Sequence, residues 1–205
     1  MLVAVLGLSL VAYAAVATDV VEKGPLWEQD GDVSRWVAGS MPGWAEWLAR
    51  PFSWLGGAVG VTVLVAAAVL WLLWRSRRIA AATLVAVAAG SQLLVTLGKE
   101  GYDRPRPTAG SPVDIPGSPS FPSGHATTIA VFGLLGLLLA DLLPTRAGRV
   151  GVIAAGFALG ALVGASRVVL DVHFVTDVLA GAALGLAWLA ACLLAAGLVA
   201  RGRRR

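Results

Sequence analysis

Apolar residues gather along this chain into six stretches, at 1–21, 55–74, 79–98, 126–143, 150–165 and 174–200, separated by short polar or basic breaks. Crossing the hydrocarbon of a bilayer takes about 20 residues of helix. The pattern therefore predicts an all-α, polytopic membrane protein, a bundle of six transmembrane helices forming one domain over 1–205. The fifth stretch is short and is expected to end within protein rather than in lipid. Ala15-Val16-Ala17 looks like a signal-peptide cleavage site, but no Lys or Arg precedes the first apolar run, and a retained first helix is expected. Composition agrees. With 58% hydrophobic and 14% charged residues in 205, the chain has more apolar side chain than a water-soluble globule of that size can bury. The one cysteine, Cys192, lies in an apolar run without a partner and offers neither a disulfide nor a redox role.

A net charge of +4 would suit nucleic acid if the cations were spread over a surface. They are not. Arg75, Arg77 and Arg78 follow the second stretch, Arg146 and Arg149 the fourth, and Arg201, Arg203, Arg204 and Arg205 the sixth. Six spans put all of these on one face, which the excess of basic residues makes cytoplasmic, with no nucleic-acid partner. Of the acids only Asp141 shares that face. Both termini are then inside a plasma (inner) membrane, and the 22–54 and 99–125 connections outside.

The 22–54 connection contains Trp27, Trp36, Trp44, Trp47 and Trp54. Helical spacing within it, at Val33, Trp36 and Val37 and again at Trp44, Trp47 and Leu48, predicts two short helices in the headgroup layer. They would act as an interfacial anchor or as a lid over a site. Gly156, Gly160 and Gly164, and likewise Gly181 and Gly185, recur every four residues. Such small residues let helices approach closely, within the bundle or, as a second reading, across a homo-oligomer seam.

Polar residues beside spans are costly and hence informative. Three groups fall on the outer face: Lys99 to Arg106-Pro107, Pro122-Ser123-Gly124-His125, and Ser166-Arg167 followed by His173 and Asp177. They contain both histidines of the chain. His173 and Asp177, four apart, are expected on one helix face, where the carboxylate takes a ring N–H and frees the other nitrogen as base or nucleophile. Ser123 stands where a helix begins, with free N–H groups that suit an anion. Lys99, Arg106 and Arg167 add cations matched to phosphate oxygens. Each residue alone has a plainer explanation: a snorkelling anchor for Lys99 or Arg167, a cap for Ser123, an interfacial histidine, a stiff proline-rich loop over 105–122. All of these would have to hold together on one face. Two histidines among surplus cations also argue against a metal site.

At these residues the sequence resembles the type-2 phosphatidic acid phosphatase superfamily, the lipid phosphate phosphatases, whose signature is Lys-six-Arg-Pro, Pro-Ser-Gly-His and Ser-Arg-five-His-three-Asp. Arg104-Pro105 offers a competing Arg-Pro, but Arg106 has the family spacing. The resemblance runs from Lys99 to Asp177. It implies a membrane enzyme without cofactor or metal, transferring a phosphoryl group in two steps. His173 would be the nucleophile, Asp177 its orienting partner and His125 the general acid and base. Lys99, Arg106, Ser123, Gly124 and Arg167 would bind phosphate. The residues alone do not choose between the histidines; the nearby Asp177 favours His173. A site at the outer edge of the bilayer favours a lipid phosphate as partner: an isoprenyl (undecaprenyl-type) diphosphate, phosphatidic acid or phosphatidylglycerol phosphate. A phosphotransferase passing the group to an alcohol or sugar, and a non-catalytic lipid-phosphate binder or flipping protein, are the alternatives.

Overall fold

The computed structural model describes residues 1–202, and among these it is all-helical. In chain order the helices are α1 (Leu2–Glu22), α2 (Pro25–Ser40), α3 (Gly43–Leu55), α4 (Ala58–Trp74), α5 (Arg78–Tyr102), α6 (Gly124–Thr127), α7 (Ile129–Ala140), α8 (Arg146–Val169) and α9 (Val175–Gly202). Arg203, Arg204 and Arg205 of the basic end lie outside the described residues.

By length and composition four helices can cross a membrane: α1, α5, α8 and α9. A fifth crossing is counted if α3 and α4, bent by 49° at their junction, form one span. The sequence pattern predicts six. The difference has local causes. α4 holds 17 residues, about 26 Å of helix against about 30 Å of hydrocarbon. The fourth stretch is divided at Thr128 into α6 and α7 and leaves the helix after Ala140. The fifth stretch, expected to be short, is instead part of a 24-residue helix, because Arg146 and Arg149 extend it at one end and Ser166-Arg167 at the other. Thr145 caps its start, accepting the Gly148 N–H at 3.1 Å.

The 22–54 connection forms the two helices expected. α2 begins at Pro25, where a missing N–H costs nothing, and the Asp19 carboxylate in the last turn of α1 accepts the N–H groups of Leu26 and Trp27. Trp36, Trp44, Trp47 and Trp54 are exposed, whereas Asp30, Ser34 and Val37 of α2 are buried.

The apolar core has a main body and two smaller clusters. The main body joins Leu72 of α4, Leu84 and Val87 of α5, Val131 and Leu134 of α7 and Leu189 of α9. Phe121 packs with Ala17, Val20 and Ala180, and Leu170 and Val172 with Ala49, both beneath the polar end of the bundle. At the other end Arg77 and Asp141 pair at 2.5 Å, with Arg75, Arg78, Arg146, Arg149 and Arg201 on the same side.

The glycine rows lie on seams within this one chain. A Cβ added to Gly160 would stand 2.5 Å from the Cα of Ile129, and one on Gly181 2.4 Å from the Ser123 carbonyl. The first contact seats α8 on α7, the second α9 on α6. These faces are filled by the chain itself and are not open to a second copy. Gly160→Leu should therefore cost about 1–3 kcal/mol through overpacking and lower the thermal unfolding midpoint in detergent. Gly151→Leu, where nothing lies within 4 Å, should leave it unchanged; equal midpoints for the two variants would contradict the seam.

Candidate active site

The three polar groups of the sequence come together at one end of the bundle. Lys99 projects from the last turn of α5, His125 from α6, Arg167 from the last turn of α8, and His173 and Asp177 from the α8–α9 junction. The segment between α5 and α6 supplies Arg104 and Arg106.

His173 precedes α9 rather than sharing a helix face with Asp177. The contact forms for a different reason. Asp177 is the third residue of α9 and reaches back over the helix start, a position where a carboxylate is favoured by otherwise unpaired N–H groups. Its Oδ2 accepts the Phe174 N–H at 2.9 Å and lies 3.3 Å from His173 Nδ1. On the far side of the ring, Arg106 Nη1 is 3.0 Å from Nε2. A guanidinium can only donate. Nε2 is therefore the acceptor, and the ring proton is on Nδ1, directed at Asp177. Burial pushes the His173 pKa down to about 4; Asp177 opposes this, and Arg106 and Arg167 add to it. The imidazole is neutral at neutral pH, with a lone pair on Nε2.

His125 has the other tautomer. Its Nε2 lies 3.1 Å from the Ser53 carbonyl of α3, which can only accept, so Nε2 carries the proton. His125 is within electrostatic reach of His173, Arg106 and Arg167. Arg167 is buried and donates to the Ser53 hydroxyl. Lys99 donates to the Pro119 carbonyl and lies 3.4 Å from the Ser118 hydroxyl. Arg106 bonds the carbonyls of Ser118 at 2.8 Å and Val172 at 2.7 Å. Ser123 caps α6, its Oγ accepting the Ala126 N–H at 3.4 Å while its own proton is free to donate. The Ser123 N–H bonds the Asp177 carbonyl at 3.0 Å, joining the second group to the third. Gly124 opens α6 beside Val95. The result is a cluster of three cations and two neutral, oppositely protonated imidazoles, suited to a phosphate.

Sequence reasoning missed four participants. Arg104, set aside on spacing, is buried behind Asp177 and bonds its Oδ1 at 2.8 Å. Asp30 and Thr176 are buried with it. Ser53 touches both His125 and Arg167. The Arg-Pro-Arg-Pro run was a visible signal for Arg104; nothing local marked Asp30 or Ser53.

Comparison with known proteins gives this site a class. The model of the PAP2 superfamily matches residues 79–199, more than half of the chain, and the chain belongs to that family. Among its relatives is phosphatidylglycerophosphatase B of Bacillus subtilis (strain 168), 43% identical over 98 residues. That match covers 46% of this chain and 47% of the relative, so the chain spans about half the length of the curated protein it matches. Over its full length the fold is similar to the crystal structure of the transmembrane PAP2-type phosphatidylglycerolphosphate phosphatase from Bacillus subtilis. That likeness has a TM-score of 0.80 and 27% identity, covering 98% of this chain and 96% of the other. Aquifex aeolicus LpxE shares the fold, with a TM-score of 0.62 and 22% identity over 80% of this chain and 93% of that one.

With two histidines, the titration is directly readable. NMR of histidine-labelled protein in detergent should give His173 a midpoint near 4, well below the ordinary 6.5. Arg106→Gln removes a cation that disfavours the imidazolium and should move that midpoint upward. A midpoint at 6.5 or above in the unmodified protein would refute the buried neutral ring.

Proposed function

We propose that the protein is an integral-membrane lipid phosphate phosphatase that works without metal through a phosphohistidine. The observation that carries the reading is His173 itself: Nδ1 is engaged by Asp177 and Nε2 faces Arg106 at 3.0 Å. A phosphate on Arg106 would bring its phosphorus to that lone pair. His173 Nε2 attacks phosphorus and the bond to the lipid alcohol breaks, with His125, protonated once the phosphate's negative charge stands among the cations, giving the departing oxygen its proton. Water then attacks the phosphohistidine, His125 takes a proton from it, and the P–N bond breaks to release inorganic phosphate. Lys99, Arg106, Arg167, Ser123 and the Gly124 N–H hold the non-bridging oxygens as charge spreads over them.

The six apolar stretches of the sequence support six crossings, with α3–α4 as a bent span and α6–α7 as a short one. Arginines at the end opposite the cation cluster support an extracytoplasmic site with both termini in the cytoplasm of a plasma membrane. The substrate would be a lipid phosphomonoester or diphosphate whose tails stay in the bilayer. The activity for which the Bacillus relatives are named favours phosphatidylglycerol phosphate over phosphatidic acid and an isoprenyl diphosphate.

The test is phosphate release by purified protein from a panel of these lipids in mixed micelles. His173→Ala and His125→Ala should each abolish turnover, and near-normal release from either would refute the assignment. Asp177→Asn should retain more activity than His173→Ala, because it loses orientation and not the nucleophile. Activity should survive EDTA and be inhibited by vanadate; loss in EDTA would point to a metal.

A further inference from the structure

Behind Asp177, away from the histidine, three buried polar side chains, Arg104, Thr176 and Asp30, form a cluster that the proposed reaction does not use. Arg104 Nη1 donates to Asp177 Oδ1 at 2.8 Å and to Thr176 Oγ1 at 2.6 Å, while Nη2 donates to Asp30 Oδ2 at 2.8 Å. The guanidinium lies over the Phe174 ring, 4.3 Å from its centroid. Asp30 Oδ1 in turn accepts the Thr176 N–H at 3.2 Å. Arg104 is 6% exposed, Asp30 3% and Asp177 0%.

We propose that Arg104 and Asp30 are positioning residues for the nucleophile, fixing the Asp177 carboxylate through the face it turns away from His173. The proposal rests on His173 being that nucleophile. A carboxylate bonded only through Oδ2 can still swing about its Cβ–Cγ bond and carry the imidazole with it. Arg104 on Oδ1 removes that freedom. Taken alone, however, a guanidinium against Asp177 would draw the carboxylate's charge away from the imidazole. Asp30 shares the guanidinium, so two carboxylates stand against one cation and one negative charge is left for the ring N–H. That charge matters most when the imidazole becomes cationic on taking the phosphoryl group. Asp30 comes from α2, so the same cluster ties the interfacial helix to the reacting atoms. Lys cannot replace Arg104, since one ammonium cannot present the planar fork that reaches both carboxylates and Thr176.

The test uses the purified full chain in mixed micelles of phosphatidic acid or phosphatidylglycerol phosphate, with kcat expressed per folded molecule. Arg104→Gln should lower kcat by about 100-fold with KM unchanged, the size expected for a misplaced reacting group. Arg104→Lys should fall between, and Asp30→Asn should lose less than Arg104→Gln. In an Asp177→Asn background, Arg104→Gln should add little, because the carboxylate that Arg104 positions is already gone. Wild-type kcat in Arg104→Gln, a loss confined to KM, or a full further loss in the Asp177→Asn background would each overturn the proposal. If Arg104→Gln does not fold, wild-type kcat in both Arg104→Lys and Asp30→Asn does so instead. His173→Ala separates the two levels: turnover there topples the proposed function, whereas a dead His173→Ala beside a normal Arg104→Gln topples this inference alone.

Discussion

Asp177 is the residue on which the polar end of the bundle depends. One carboxylate oxygen holds the start of α9 and the His173 ring, the other meets Arg104, and its carbonyl receives the Ser123 N–H that begins the second motif. A fully buried carboxylate is costly unless every lone pair finds a donor. Here the carboxylate's donors come from two parts of the chain, Arg104 and His173-Phe174, and the Ser123 N–H on the Asp177 carbonyl adds a third, so pairing this one residue brings together the three polar segments. The constraint acts in both directions: the helices cannot pack unless Asp177 is paired, and the pairing sets the tautomer of His173.

The same logic explains what could be read from the sequence and what could not. Lys99, Arg106, Ser123, His125, Arg167, His173 and Asp177 have local spacing and sit at helix ends, where polar residues beside apolar runs stand out. Their gathering was legible for that reason. Asp30 lies on a mixed, largely polar helix among Glu28 and Asp32, and only burial distinguishes it. Its partner Thr176 is 146 positions away. No local pattern encodes such a pair. Helix lengths misled in a similar way. Counting apolar residues shortened α8, since Arg167 is polar in sequence yet helical and buried in the fold, and it hid the break at Thr128 that separates the His125 turn, α6, from α7.

Ser53 shows a further limit of motif reading. Its carbonyl fixes the His125 tautomer and its hydroxyl receives Arg167, yet it belongs to the tryptophan-rich connection outside the signature. α3 thus does more than lie at the interface. It bends into α4 beside Gly56 and Gly57, close to the His125 ring, and its exposed Trp44, Trp47 and Trp54 are placed to sit among headgroups. Through Ser53 the tryptophan-rich connection thus reaches both His125 and Arg167.

The reaction proposed above needs a neutral imidazole as its nucleophile and a charged one as its acid. Burial and the nearby guanidiniums disfavour an imidazolium at His173 before substrate arrives. A phosphate dianion reverses the local sign of charge as it enters. In that proposal the arginines that add to burial in keeping the ring neutral then neutralise the substrate, and an imidazole that becomes cationic on attack does so beside oxygens and a carboxylate instead of bare guanidiniums. On that reading burial and the cation cluster together suppress a charged His173 when the site is empty, and a bound phosphate relieves the second of the two.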